Sequence, residues 1–233
     1  MPSFAFRRRA VVRAGALVLG AGVVVPVAAA AVPPRAVARA ARQPDSAAAT
    51  IDRAARAFQK ARTVRAAFEQ TLVNPATGNT SQATGELVLQ QPNRVSVRFS
   101  KPAGDLVVSD GKTLWVYLPS AAPGQVIKLP AKNKGITGVD ALGELLTSPR
   151  SKYEVAAAGT ATVSGRATHA VTLTPKADDA PIERAKVWVD DADGSVRQIE
   201  LTDANGLVRT LRMTSWALNA SVPASTFSFV VPA

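Results

Sequence analysis

Early in the chain, the spacing of apolar positions switches from one period to another. Between Ala47 and Arg62 the residues Ile51, Ala54, Ala55, Phe58 and Ala61 recur at three- and four-residue steps, which predicts an amphipathic helix with Ser46 as its N-cap. The period then drops to two: Val64, Ala66, Phe68, Gln70 and Leu72 alternate with Arg65, Ala67, Glu69 and Thr71, the pattern of a half-buried strand. After a turn at 74–79, Val/Thr/aromatic-rich segments follow at 82–90, 94–99, 106–109, 113–118 and 125–129. A second series runs at 153–157, 161–164, 168–174, 185–190, 196–202, 208–216 and 226–230. Turn signals separate them, among them Gln91-Pro92-Asn93, Asp110-Gly111, Ala192-Asp193-Gly194 and Ala204-Asn205-Gly206. Asp110-Gly111 predicts a type I′ hairpin, which needs two residues that tolerate positive φ. So many short antiparallel strands cannot form a stable flat sheet, so the domain is expected to be mainly β and to curl into a barrel or split into a sandwich. One segment interrupts the series: 139–148 predicts a short helix with Val139, Leu142, Leu145 and Leu146 on one side, placed to cover the sheet's apolar face.

Composition and charge change this picture at the N-terminus. The chain has 233 residues with 28 Lys+Arg against 17 Asp+Glu, a formal +11. Seven Arg and no acid lie in the first 42 residues, leaving 21 basic against 17 acidic over the rest, an ordinary mixed-sign surface. No nucleic-acid partner is expected, because such proteins gather Lys and Arg on one face or motif. Met1 to Arg13 is basic, and the uncharged stretch Ala14 to Val32 follows, ending in Ala-rich A-x-A cleavage options. That is the layout of a secretory signal peptide over 1–31, with a flexible linker at 32–45 and one domain at 46–233. Export to the periplasm by a cleaved signal peptide is the expectation. An absence of Cys suits passage through an oxidising compartment, and excludes a disulfide framework, a cysteine-based metal site, a Cys nucleophile and a lipidated cysteine.

Candidate chemistry is sparse. No phosphate-binding glycine loop, dinucleotide fingerprint, zinc-protease motif or nucleophile elbow occurs. The one histidine, His169, alternates in phase with Ala167, Val171 and Leu173, which predicts a packed or hydrogen-bonded role on a core-facing side. Asp191, Asp193, Gly194 and Glu200 imitate part of a calcium loop, but Val189 and Arg197 occupy ligand positions, so the segment reads as a hairpin turn. Arg94 and Arg98 alternate outward on one strand, as a solvated face would. Neither an enzyme nor a cofactor is expected.

The stretch Val107-Val108-Ser109-Asp110-Gly111-Lys112-Thr113-Leu114-Trp115-Val116-Tyr117-Leu118-Pro119 resembles the core motif of the outer-membrane lipoprotein carriers, the LolA family. Ala66-Ala67-Phe68-Glu69-Gln70, Gly85-Glu86-Leu87, Pro92-Asn93, Leu173-Thr174-Pro175-Lys176 and Phe227-Ser228-Phe229 are similar to further family segments, so the resemblance covers roughly 47–232. It implies an unclosed antiparallel β-barrel of about 11 strands, with an α-helical lid over a hydrophobic cavity that receives lipoprotein acyl chains. The implied partners are acylated lipoproteins, an inner-membrane ABC extractor and an outer-membrane acceptor, with the carrier itself a monomer. The alternative is a lipid- or lipoprotein-sensing regulator of related half-barrel fold. Candidate cavity residues are Phe68, Leu87, Leu89, Val95, Val97, Trp115 and Tyr117 from the sheet, with Val139, Leu142, Leu145 and Leu146 from the lid helix. Any one of them would equally suit an ordinary core, since a cavity and a core call for the same residue types. The family's usual Arg before the Pro-Asn turn, which ties barrel to lid, falls on Gln91; Gln can donate to a lid carbonyl but without charge assistance. Glu at Leu142 or Leu145 is expected to impair lipoprotein binding while leaving the fold intact.

Overall fold

The structure, a computed structural model, describes residues 46–131 and 141–230. The expected signal peptide at 1–31, the linker at 32–45 and Val139 lie outside the described residues. Helix α1 (Ala47–Lys60) begins where Ser46 accepts a hydrogen bond from the backbone N–H of Ala49 at 3.1 Å, which satisfies one of the donors the first turn leaves free. It ends as Ala61 turns extended, with Lys60 in its last turn favourably placed against the helix dipole.

Six strands then run outward from the middle of the sheet as a meander: β1 (Thr63–Val73), β2 (Thr80–Gln90), β3 (Arg94–Lys101), β4 (Leu106–Ser109), β5 (Thr113–Tyr117) and β6 (Val126–Pro130). Two short helices follow, α2 (Ala141–Leu146) and α3 (Pro149–Lys152). The chain next enters the opposite edge and meanders inward through β7 (Tyr153–Val163), β8 (Arg166–Pro175), β9 (Ile182–Asp190), β10 (Val196–Asp203) and β11 (Val208–Met213). Strand β11 closes against β1, and the two-residue β12 (Ala217–Leu218) pairs with the start of β1. Among the described residues these twelve strands form one antiparallel sheet, eleven of them in the order β6-β5-β4-β3-β2-β1-β11-β10-β9-β8-β7, with β12 attached to β1 off that path. Edges β6 and β7 do not pair, so the barrel is unclosed. The connection carrying α2 and α3 must pass from one free edge to the other.

Residues directly opposite in an antiparallel ladder share a face, so the register traces the concave side. Val64, Ala66 and Phe68 on β1 stand across from Leu89, Leu87 and Gly85 on β2, and these from Val95, Val97 and Phe99 on β3. Val107 continues that side onto β4 and Val116 onto β5; Leu114 faces the same way. On the other half the face continues through Met213, Ile199, Leu201, Val187, Ala185, Val171 and Leu173. These residues form one buried cluster with Ile51 and Ala54 of α1 and Leu142, Leu145 and Leu146 of α2. The core therefore lies between the concave face and the helices.

Two glycines set close approaches. Gly85 lies between Phe68 and Phe99, whose rings meet edge to face over it with centroids 5.6 Å apart. A Cβ at Gly85 would sit 2.4 Å from the Arg98 carbonyl oxygen and 3.0 Å from Phe68 Cζ. Gly194, at φ +75°, turns the β9–β10 hairpin beneath α1, where a Cβ would meet Arg53 Cγ at 3.0 Å.

Three local expectations are revised. The segments at 153–157 and 161–164 are one strand, β7, carried through an irregularity between Ala157 and Thr160. Residues 226–230 are not a strand: the chain makes a 3-10 turn over Ala224–Phe227 and runs on unpaired. At Asp110-Gly111 only Gly111 has positive φ, at 97°, so the turn is not type I′. The Asp110 carboxylate builds the turn instead, accepting from the backbone N–H groups of Lys112 and Thr113 at 2.7 Å each. Burial opposes its ionisation, but the N–H groups of Thr113 and Lys112 outweigh that and hold its pKa below the ordinary value.

Candidate functional site

The helices roof one half of the sheet more loosely than the other. Between α2, α3 and the ends of β7 to β10 lies a cavity of about 320 Å³, lined mostly by apolar surface. Leu145 and Ala141 of α2 form its roof, Leu201 of β10 its floor, and Tyr153, Pro175 and Ile182 its walls. The loop Ala177 to Pro181 bounds it on the outside. The volume is at the small end of the range typical for ligand pockets.

Polar groups at its margin are tied down. Lys152 Nζ donates to Glu144 Oε1 at 2.9 Å and to the Glu144 carbonyl at 3.3 Å, linking α3 to α2. Lys176 Nζ donates to the Arg150 carbonyl at 3.0 Å and pairs with Glu154 at 3.4 Å. Both side chains also line the cavity, with their apolar stems available to its wall. Burial, with the nearby negative charge of Glu144, pushes the Tyr153 phenol up to about 12, so it stays neutral there. Helix α3 is tied to α1 by Arg150 and Asp52, 3.3 Å apart. The arrangement offers an apolar hollow with charged groups only at the rim, suited to an acyl chain.

The candidate residues divide into three groups. Phe68, Leu87, Leu89, Val95 and Val97 lie together on the concave face, fully packed in the core cluster under the helices. Leu142, Leu145 and Leu146 reach the same cluster from above, and among the described candidates Leu145 alone lines the cavity. Trp115 and Tyr117 stand apart. Leu114 and Val116 take the buried phase of β5, so Trp115 and Tyr117 belong to the outer face, opposite the candidates they were grouped with. Tyr117 packs there against Phe229, ring centroids 5.7 Å apart. Arg94 stacks over Phe227 at 5.9 Å, and Arg98 donates to the carbonyls of Thr226 and Ser228 at 3.5 and 3.4 Å. The last part of the chain thus straps the outer face of β3 and β5, and the two arginines expected on a solvated face hold it.

Gln91 also acts elsewhere than expected. Its Nε2 donates to the Phe58 carbonyl at 3.1 Å and its backbone N–H to the Arg62 carbonyl at 3.0 Å, so it ties the β2–β3 turn to the end of α1, not to α2. Arg94 does not replace it, since its guanidinium reaches Gln90 Oε1 at 3.3 Å. His169 faces the core side as its phase predicts and is half-buried; its Nδ1 lies 2.6 Å from Asp191 Oδ1. Leu142 and Leu145 are 2% and 1% exposed. Glu at either would place a carboxylate in the core, so the expectation of an intact fold does not hold.

Several cavity residues escaped sequence reading. Leu201 was in phase with the buried side of its strand, but Tyr153, Pro175 and Ile182 line the cavity from strand ends, where alternation no longer reports a face.

These elements define the class of mainly β proteins built as an open antiparallel half-barrel with helices against its concave face. The chain belongs to the outer membrane lipoprotein carrier protein LolA family, whose model matches residues 59–230. It is 27% identical over 178 residues to an outer-membrane lipoprotein carrier protein of Dechloromonas aromatica, covering 75% of this chain and 80% of that one. A carrier of the same description from Pseudomonas fluorescens is also 27% identical, over 75% of this chain and 81% of the relative. Among solved structures, the lipoprotein LppX of Mycobacterium tuberculosis is similar at a TM-score of 0.48 and 16% identity, covering 76% of this chain and 97% of that one.

Proposed function

We propose that this protein is a non-enzymatic periplasmic carrier that shields the acyl chains of lipoproteins released at the inner membrane and delivers them to the outer membrane. The observation that carries the reading is the 320 Å³ apolar cavity roofed by the connection between the two free sheet edges, in a chain of the lipoprotein carrier family. Burying an acyl chain is worth about 0.8 kcal/mol per CH₂, so a multiply acylated protein cannot cross water unaided. A carrier must cover that surface and still release it, which a roof hinged on two short helices and exposed ion pairs permits. An inner-membrane ABC extractor would load the protein and an outer-membrane acceptor would unload it. The exported protein would act as a monomer after removal of its signal peptide.

The test is recovery of the protein from envelope extract with mass spectrometry of what copurifies, for the natural chain and for Ala180→Trp. Ala180 lines the cavity near its outer boundary without belonging to the core cluster, so an indole there fills the hollow and spares the fold. Acylated lipoproteins should accompany the natural chain and be reduced by about tenfold or more with the variant. Equal recovery would place the cargo elsewhere, and an absence of lipoproteins from both would overturn the carrier reading.

A further inference from the structure

The concave face of the central strands carries one cation. On β11 its positions alternate as Met213, Leu211 and Arg209: Met213 stands opposite Phe68, Leu211 opposite Ile199, and Arg209 between Leu72 on β1 and Leu201 on β10. Leu201 is the floor of the cavity, so Arg209 is one strand away, about 5 Å from it between Cα atoms. Its neighbours along and across the strands are apolar, and the residue is half-buried. Burial lowers the pKa of its guanidinium, and the field of Asp203 offsets this only in part.

Most other arginines of the sheet have acceptors, and Arg184 of β9, which has none among the described residues, is exposed to solvent. Arg65 has Glu86, Arg166 and Arg197 share Asp190, and Arg212 has Glu69. Arg209 has no hydrogen-bond or ion-pair partner among the described residues; its nearest influence, Asp203, is committed to the β10–β11 turn, where Oδ1 accepts from the N–H groups of Asn205 and Leu207 at 2.8 and 3.0 Å. A half-buried planar fork of donors without a protein acceptor therefore lies one strand from the floor of an apolar hollow, open to an anion from outside the chain.

We propose that Arg209 is an anion subsite of the concave face, and that it receives the phosphate diester of a diacyl glycerophospholipid whose chains enter the cavity. The chemistry separates this ligand from lipoprotein cargo, because a fully acylated N-terminal cysteine carries no anion beside its chains. The proposal shares with the carrier reading the premise that acyl chains occupy the hollow. A bidentate guanidinium–phosphate contact is of the charge-assisted kind, strong enough to dominate selection among lipids with identical tails.

The test compares dioctanoylphosphatidylglycerol with dioctanoylglycerol by titration calorimetry on the mature protein. The phosphate-bearing lipid should bind about tenfold tighter or more. Arg209→Leu should abolish that preference while leaving dioctanoylglycerol binding unchanged, and Arg209→Lys should retain part of it. Thermal unfolding of Arg209→Leu should occur at the same or a higher temperature, since a half-buried cation without a protein acceptor is replaced by an apolar side chain that suits its apolar neighbours. Equal affinity of the natural protein for both lipids would overturn the anion subsite and leave the carrier reading standing. A preference that survives Arg209→Leu would overturn it too, and binding of neither lipid would remove the shared premise. Inorganic phosphate should fail to compete at the lipid's concentration; competition there would assign the site to a free anion instead.

Discussion

Gly85 shows how one missing side chain can organise a sheet. Phe68 and Phe99 close over it edge to face, and the space a methyl group would need is already held by the Arg98 carbonyl at 2.4 Å. Gly85→Ala is therefore expected to lower unfolding free energy by about 1–3 kcal/mol, the usual cost of overpacking, in urea titrations of the mature domain. A change within error would show that β2 can shift away from β3 without penalty. Asp190 is the complementary case, a charge held in place by its neighbours. It is 1% exposed, and burial opposes its ionisation, but hydrogen bonds from the Arg166 guanidinium, the Ala192 N–H and the Arg197 guanidinium prevail and bring its pKa to about 2. Its folded pKa is thus depressed, so its contribution to stability is complete above the unfolded value near 4 and disappears as pH falls towards about 2. That contribution is about 2 kcal/mol. Urea unfolding between pH 5 and pH 2 should show the loss, and Asp190→Asn should flatten the pH slope in that window while being less stable at pH 7. An unchanged slope in the variant would assign acid sensitivity to other carboxylates.

At the scale of elements, patterning in the sequence worked where one face of an element is buried and the other is not. The helix at 47–60 and the alternation of β1 were legible because Arg65, Glu69 and the polar face of α1 mark the solvent side. On β5 the run Leu114-Trp115-Val116-Tyr117 is apolar in both phases, so alternation cannot choose the inner pair. The choice was made by the C-terminal strap covering the outer face, a contact between residues more than a hundred positions apart that no local pattern encodes. Gln91 has the same lesson. Its place beside a Pro turn was readable, whereas its partner, the Phe58 carbonyl, depends on how α1 crosses the sheet. Gln91→Ala should loosen that joint by about 1 kcal/mol or less, seen as faster amide exchange in the last turn of α1. Gln91→Arg should slow the same amides, because a charged donor at a helix C-terminus gains from both charge assistance and the dipole. Identical exchange in all three proteins would mean that α1 is held by Ile51 and Ala54 alone.

For the whole molecule, topology decides what can move. The chain builds the sheet from the middle to one edge, crosses to the other edge, and returns to the middle, so the central seam of β1 with β2 and β11 is secured on both sides. The crossing segment is held differently: α2 through three leucines in the core, and α3 through ion pairs with Asp52 and Glu144 that are largely exposed and contribute little. A cavity of 320 Å³ is small for a ligand with several acyl chains, so on the proposed carrier role loading would require α2 to withdraw its leucines and give their space to the cargo. The apolar surface exchanged is similar in kind, leucine for acyl chain, which keeps the step reversible. Hydrogen exchange with and without a triacylated cysteinyl peptide should therefore show faster exchange over 141–152 in the loaded protein, with the amides of β1, β2 and β11 unchanged. Stronger protection of 141–152 on loading would mean that the cavity is already formed and the roof closes over its cargo, and the gate would then have to be sought at the free edges β6 and β7.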